Sequence, residues 1–472
     1  MLLQDLPVPL AGVDFDAGLI SRLSKSGPRY TSYPTADRFS DSFGYGDFLR
    51  AVADVRTRGR ARPLSLYLHI PFCDTVCYYC ACNKIVTRKR DKAATYLAYL
   101  KREIEMQGRL FAGRGGQEQA ALQLHLGGGT PTYLSDEQMG ELMDHLRRCF
   151  RFAPDAAGEY SIEVDPRTVS VERVHSLRRQ GFNRISLGVQ DFDAEVQKAV
   201  NRIQPEEDTR AIIRAARDAG FRSVSIDLIY GLPKQTPATM AATLEKVIAA
   251  SPDRIAVYHY AHMPQLFKPQ RRILDADMPD SDTKLRMLQL CIERLCAAGW
   301  VYIGMDHFAK PGDDLAVAQR QGRLHRNFQG YSTHADTDLV ACGVSAISAV
   351  GPTYSQNAKT LDVYYDALDR NELPVARGVR LAMDDVLRRT VIQTLMCQFE
   401  LSIPALEQGF PIVFGRYFEA ELGELAQLER DGLVKVDAAW ISVTMKGRLL
   451  IRNVCMVFDR YLSGAARHSK TV

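Results

Sequence analysis

The stretch Leu64-Ser65-Leu66-Tyr67-Leu68-His69-Ile70-Pro71-Phe72-Cys73-Asp74-Thr75-Val76-Cys77-Tyr78-Tyr79-Cys80-Ala81-Cys82 joins a short apolar run to four crowded cysteines. The run Leu64–Ile70 reads as a buried strand that stops at a proline. Cys73-x3-Cys77-x2-Cys80 then sets three thiolates on one loop. Three thiolates can hold three corners of an iron–sulfur cube and leave the fourth iron open to a ligand. A structural zinc site on Cys73, Cys77, Cys80 and Cys82 is the competing reading, and the spacing does not forbid it.

Outward from this loop a unit repeats: a short apolar run, a loop and an amphipathic helix. The runs are Leu64–Ile70, Leu122–Leu126, Tyr160–Val164, Arg184–Val189, Ser223–Ile229 and Arg254–Tyr258. Between them Tyr96, Leu97, Leu100 and Ile104 recur at helical spacing. Ser135 with Gln138 forms a capping-box pattern, and Thr236-Pro237 places an N-cap before proline. Gly181, Gly220 and Gly299 each sit where a helix gives way to a strand. Alternating strands and helices predict an α/β fold with a parallel sheet. Six units predict an incomplete (β/α)6-type barrel; eight strands are the alternative.

Three units follow: an N-terminal extension over 1–60, partly helical around Phe48–Val55; a catalytic barrel with accessory strands over 61–360; and a small, mainly helical C-terminal domain over 361–472. The last carries Leu422, Leu425 and Leu428, then Gly432 and a hairpin near Val434–Val443.

The 472 residues carry 60 Lys and Arg against 56 Asp and Glu, a net charge of +4, which gives no case for a nucleic-acid or membrane-surface partner. Residues 1–20 hold Asp5, Asp14 and Asp16 but no Lys or Arg, the wrong sign for a secretory leader. A cytoplasmic location is therefore expected, with cysteines reduced. Cys149, Cys291, Cys296, Cys342, Cys397 and Cys455 read as small packed hydrophobes.

Gly127-Gly128-Gly129-Thr130-Pro131-Thr132 follows the second run. Glycines allow a ligand close to the backbone, although an ordinary tight turn has the same look. Residues at the C-terminal ends of barrel strands converge on one mouth. Thr130, Glu163, Gln190, Asp227 and His259 hold such positions. Glu163 and Asp227 lie in apolar runs and are expected to be buried and to need partners. Arg202 could pair with a ligand carboxylate.

Together these motifs resemble the radical S-adenosylmethionine (SAM) superfamily, and within it the oxygen-independent coproporphyrinogen III oxidase family. The segments that carry the resemblance are Pro28–Thr35, Tyr67–Cys73, Cys80–Ile85, Gly127–Thr132, Ser186–Phe192, Asp227–Pro233, Asn327–Tyr331, Gly343–Ser348 and Lys446–Asn453. Tyr79, where the family often has phenylalanine, and the Val340-Ala341-Cys342 run are departures that touch no cluster ligand.

The resemblance implies oxidative decarboxylation of two propionates of coproporphyrinogen III to vinyl groups, giving protoporphyrinogen IX in haem biosynthesis. It implies a [4Fe–4S] cluster on Cys73, Cys77 and Cys80, with Cys82 close by but not a ligand. It implies two SAM molecules. The first would be contacted by Tyr67, Gly128, Glu163 and Ile347. The second would be contacted by Tyr79, Gly129, Thr130, Gln190, Arg202, Asp227 and Ala261. A donor such as flavodoxin or ferredoxin, a monomeric state, and an N-terminal lid over the mouth are further expectations. A haem-chaperone or haem-degrading relative is one alternative; a zinc-stabilised, non-catalytic binding protein is another.

Overall fold

The computed structural model describes residues 13–58, 62–111 and 119–462. The ends of the first and third sequence-derived units, residues 1–12 and 463–472, therefore lie outside the described residues, as does Asp5 of the leader argument.

Each of the six apolar runs forms a strand: β1 (Leu64–Ile70), β2 (Ala120–Gly128), β3 (Glu159–Val164), β4 (Arg184–Gln190), β5 (Ser223–Tyr230) and β6 (Arg254–His259). They lie side by side in chain order, and every neighbouring pair is parallel. Helices connect them, and their ends follow local rules. Ser135 accepts from the Gln138 amide in a complete capping box, and Thr236 caps the helix that starts at Pro237. Gly181, Gly220 and Gly299 all adopt positive φ.

The sheet is wider than six strands. Beyond β6 come the antiparallel β7 (Val301–Gly304) and β8 (His307–Ala309), with β8 bonded to β6. Beyond β1 lies β9 (Asp338–Cys342), which is parallel to it and sets Tyr67 opposite Ala341. The antiparallel β10 (Ile347–Val350), β11 (Thr353–Asn357) and β12 (Val375–Arg380) complete that side. The fold is thus an incomplete barrel extended at both edges.

Strand faces differ in chemistry. Leu124, Leu126, Ile162, Val164, Ile185, Leu187, Val224, Ile226, Ile255 and Val257 point outward into the main core and are buried. The alternate positions line the lumen: Gln123 and His125, Glu159, Ser161 and Glu163, Arg184 and Ser186, Ser223, Ser225 and Asp227, then Arg254 and Tyr258. Period-two alternation sends successive side chains to opposite faces. The runs are therefore apolar on the helix-facing side only.

Segments on either side of the barrel pack onto this frame. In the N-terminal segment Tyr30 and Tyr33 are buried, and the Tyr30 hydroxyl donates to Asp459 at 3.0 Å. The helix expected around Phe48–Val55 spans Tyr45–Arg58. C-terminal helices Met383–Gln398 and Glu419–Arg430 accompany a hairpin of Val434–Val436 and Trp440–Val443, to which Glu400–Ser402 adds a third strand. All ten cysteines are free.

Candidate active site

The cysteine loop is tied off by its own ends. Short strands Phe72–Cys73 and Ile85–Val86 pair in parallel, and the Thr87 amide donates to the Cys73 carbonyl at 3.0 Å. Each thiol meets a donor or a cation. Thr130 Oγ1 lies 3.5 Å from Cys73 Sγ. Arg202 Nη1 and Arg167 Nη2 lie 3.5 and 3.7 Å from Cys77 Sγ. Lys84 Nζ donates to the Cys80 carbonyl at 3.1 Å, and after the Cys82 hydrogen bond its charge helps to lower the Cys80 thiol. Burial pushes the Cys73 thiol up to about 11. The Cys82 hydrogen bond is the largest influence on Cys80 and holds that thiol below the ordinary range. Three sulfurs on one closed loop, flanked by two guanidinium groups and an ammonium, fit an anionic thiolate-bound cluster.

The glycine turn lies against this loop because side chains would collide there. A Cβ on Gly128, which adopts φ +114°, would meet the His69 ring at 2.6 Å. One on Gly127 would meet the Glu163 carboxylate at 2.8 Å. The Gly129 amide donates to the Ile70 carbonyl at 2.8 Å.

Glu163 departs from its sequence reading. Its side chain is 45% exposed, because it faces an open cavity rather than the core. It accepts from His125 Nε2 at 3.0 Å and from the Gly128 amide at 3.3 Å. Burial pushes its carboxyl up, but the His125 hydrogen bond and charge outweigh this and leave it below the usual range. Tyr67 stacks on His125 with ring centroids 5.9 Å apart and contacts His69 Nδ1 at 3.1 Å. Asp227 accepts from Ser186 at 3.3 Å, while burial, then the Glu163 charge, raise it to about 7.

A cavity of about 560 Å³ gathers Tyr67, Gly128, Glu163 and Ile347, with Cys82, His69 and His125 beside them. Arg29, Thr31, Arg326, Phe328 and Gln329 form another part of its wall. Asp227 faces the lumen directly beneath, whose lining shares His125 and Glu163 with the cavity. Arg202 and Gln190 converge on Gly188: a Cβ there would lie 2.9 Å from Gln190 Nε2 and 3.1 Å from Arg202 Nη2. Tyr79 packs against the apolar group of Val196, Val200, Ile229 and Tyr260, and its carbonyl accepts from Gln270. Ala261 lies past β6, outside the residues lining either cavity.

One further sequence expectation fails here. His259 does not face the mouth. It alternates with Tyr258, stacks on Tyr230 and lines a separate recess with Ile20 and Lys284. Arg202 already pairs with Asp165 at 3.1 Å and with the Gly188 carbonyl. Sequence reasoning also missed His125, Asp165 and Arg326. The signal for His125 was available in the alternation Gln123, His125 on β2. No local pattern marks the other two.

This loop, glycine turn and polar-lumened barrel define a radical SAM protein, and the sequence model described as the Radical SAM superfamily matches residues 67–247. A second model, the HemN C-terminal domain, matches residues 381–450. The oxygen-independent coproporphyrinogen III oxidase of Pseudomonas aeruginosa is 52% identical over 96% of this chain and 98% of its own length. That of Escherichia coli is 53% identical over 96% and 97%. The solved coproporphyrinogen III oxidase of Escherichia coli, described as a radical SAM enzyme, superimposes with a TM-score of 0.90 at 52% identity and covers 96% of this chain and all of that one. The chain belongs to the oxygen-independent coproporphyrinogen III oxidase family, and it is a radical SAM oxidoreductase. That membership replaces the zinc-stabilised and haem-carrier readings.

Proposed function

We propose that the protein converts two propionates of coproporphyrinogen III to vinyl groups without oxygen, each propionate giving up a hydrogen atom to the SAM-derived radical, CO2, and one electron to an acceptor, to yield protoporphyrinogen IX. The supporting observation is one cavity in which Tyr67, Gly128, Glu163 and Ile347, the positions that the family resemblance implies for the first SAM, share walls with Arg29 and Arg326. One side suits a sulfonium nucleoside; the other suits a carboxylate-bearing substrate. The family implies a [4Fe–4S] cluster and SAM, which when bound supply a carbon radical able to take hydrogen from an unactivated propionate carbon.

The residues around that chemistry have separate tasks. Cys73, Cys77 and Cys80 would hold the cluster, with Thr130, Arg167, Arg202 and Lys84 compensating its negative charge. Glu163 stays ionised beside His125 and suits a ribose or an amino group. Tyr79, Gly129, Thr130, Gln190, Arg202, Asp227 and Ala261 are the positions for a second SAM. The three-unit division at 1–60, 61–360 and 361–472 belongs to the same reading. Buried Tyr30 and Tyr33 anchor the N-terminal segment whose Arg29 reaches the cavity, which supports its role as a cover over the mouth.

Among the described residues no helix is long and apolar enough to cross a membrane. A cytoplasmic monomer without nucleic-acid or membrane partners remains the proposal. The electron donor is an acidic redox protein of the flavodoxin or ferredoxin type. Arg88, Lys89 and Lys92 support this: they are exposed, follow directly on the Cys73-bonded Thr87, and have no ion-pair partner among the described residues.

The test is anaerobic incubation of reconstituted protein with reductant, SAM and coproporphyrinogen III. Two 5′-deoxyadenosines per porphyrinogen lighter by two carboxyl groups are expected. SAM cleavage without any loss of carboxyl groups would refute the assignment.

A further inference from the structure

Arg326 is 2% exposed, yet it forms no ion pair among the described residues. Its Nη1 is buried and has no hydrogen-bond partner among the described residues. Its other contacts are modest: Nε donates to the Arg29 carbonyl at 3.3 Å, and the guanidinium sits 4.8 Å from the Tyr331 ring centroid. A buried guanidinium without a counter-ion is costly, and the cost persists in a fold only when something repays it. Elsewhere in this barrel buried arginines are paired. Arg254 holds Asp313 at 2.8 Å, and Arg184 holds Asp314 and Glu159.

The surroundings deepen the imbalance. Arg29 lies beside Arg326 and is paired with Asp306. Arg452 donates to the carbonyls of Gly27 and Pro28, on the same segment as Arg29. Burial first, then the neighbouring charges of Arg29 and Arg326, hold the Arg452 guanidinium below its ordinary range, so the cluster is cationic. Burial makes the neighbouring His307 hard to protonate, so it adds no cation of its own. Arg326 lines the active-site cavity and also a second cavity behind it, and it forms part of the partition between them.

Local structure fixes this placement. His325–Asn327 pairs antiparallel with Gly330–Ser332, and Gly330 turns the chain with φ +109°. The Arg326 carbonyl accepts from Gln393 at 3.1 Å, which ties the hairpin to the C-terminal helix Met383–Gln398. The guanidinium is therefore held by three parts of the chain at once.

We infer that Arg326, with Arg29 beside it, is the binding site for a carboxylate of the substrate, a propionate arm reaching across the cavity from the SAM-facing side. This rests on the function proposed above. Arg offers a planar fork that matches a carboxylate in two hydrogen bonds, and Nη1 is the donor left open for it.

The experiment compares affinities by anaerobic equilibrium dialysis of the cluster-loaded protein with coproporphyrinogen III and with its tetramethyl ester. The native protein binds the tetra-acid more tightly. Arg326→Gln weakens binding of the tetra-acid roughly ten- to a hundred-fold, the worth of a charge-assisted hydrogen bond, and leaves the ester unchanged. Arg326→Lys, which keeps the charge but loses the fork, falls between. A misfolded pocket would lower both affinities together. Equal losses for acid and ester, or no loss for the acid, would overturn the inference alone. Failure of the native protein to bind either compound would remove the proposed function and this inference with it.

Discussion

The two ends of the barrel lumen are built from the same strands and hold opposite electrostatic arrangements. At the N-terminal end of the strands Glu159, Arg184, Arg254, Asp313 and Asp314 pair with one another, and Thr333 adds a hydrogen bond to Glu159 at 2.5 Å. At the C-terminal end Glu163 opens to a cavity, Asp227 is raised to about 7 by burial and then the Glu163 charge, and Arg326 has no counter-ion among the described residues. Charges that answer each other close a barrel; charges left without an answer await a ligand. The pairing below costs the fold little, because each desolvated charge has a partner. The imbalance above costs stability, and binding repays it.

This contrast can be broken most sharply at the cysteines. Replacing Cys73, Cys77 or Cys80 with alanine should abolish product formation and strip iron from the purified protein, whereas Cys82→Ala should retain the iron. Iron analysis and the visible spectrum decide it. Iron loss from Cys82→Ala equal to that of the other three would mean that the cluster uses a different triad.

The lower end predicts a stability effect instead. Asp313 is 4% exposed, and its loss leaves Arg254 charged and unpaired. Asp313→Ala should cost about 3 kcal/mol in denaturant unfolding, while tetra-acid affinity stays unchanged. An equal stability loss from Glu163→Gln would erase the distinction between the ends. Glu163 is 45% exposed, so its ion pair with His125 contributes little to folding. The expected effect of Glu163→Gln is roughly ten-fold weaker SAM binding, read by calorimetry.

A smaller effect sharpens the picture near the cysteine loop. Lys89→Glu with Lys92→Glu should slow turnover several-fold with a reduced flavodoxin and leave it unaltered with dithionite. Slowing with both reductants would relocate the donor surface.

A further test is a pH dependence. Burial, then the Glu163 charge, raise Asp227 to about 7, while an unfolded aspartate titrates near 3.9. The folded state therefore keeps a proton that the unfolded chain has released. Stability from this group is full below about pH 4 and is lost as pH rises to 7. Asp227→Asn should gain stability relative to the native protein across that window and hold a constant advantage above it. Melting temperatures at a series of pH values measure this. A difference independent of pH would show that Asp227 ionises normally.

Much of this was legible in the chain. Six apolar runs, three helix-ending glycines and two capping patterns marked the strands and the helix ends, because those signals are local and each acts within a turn or a strand. The cysteine spacing and the glycine turn marked the chemical centre for the same reason. The His259 expectation failed because a strand-end position gives no side-chain direction; only the register of β6 against β5 and β8 decides which way it points. The burial expected of Glu163 failed because an apolar run looks identical whether its alternate face meets a core or a lumen.

The sequence by itself determined the alternation, the cysteine loop and the family. Tertiary structure alone decided which charges are answered. Arg326 and Arg29 lie 297 residues apart, and no local pattern can state that the carboxylate missing from one will not be supplied by a segment far along the chain. Pairing of charges is a property of distances in space, and those are set only when the N-terminal segment, the barrel and the C-terminal helices close around one cavity.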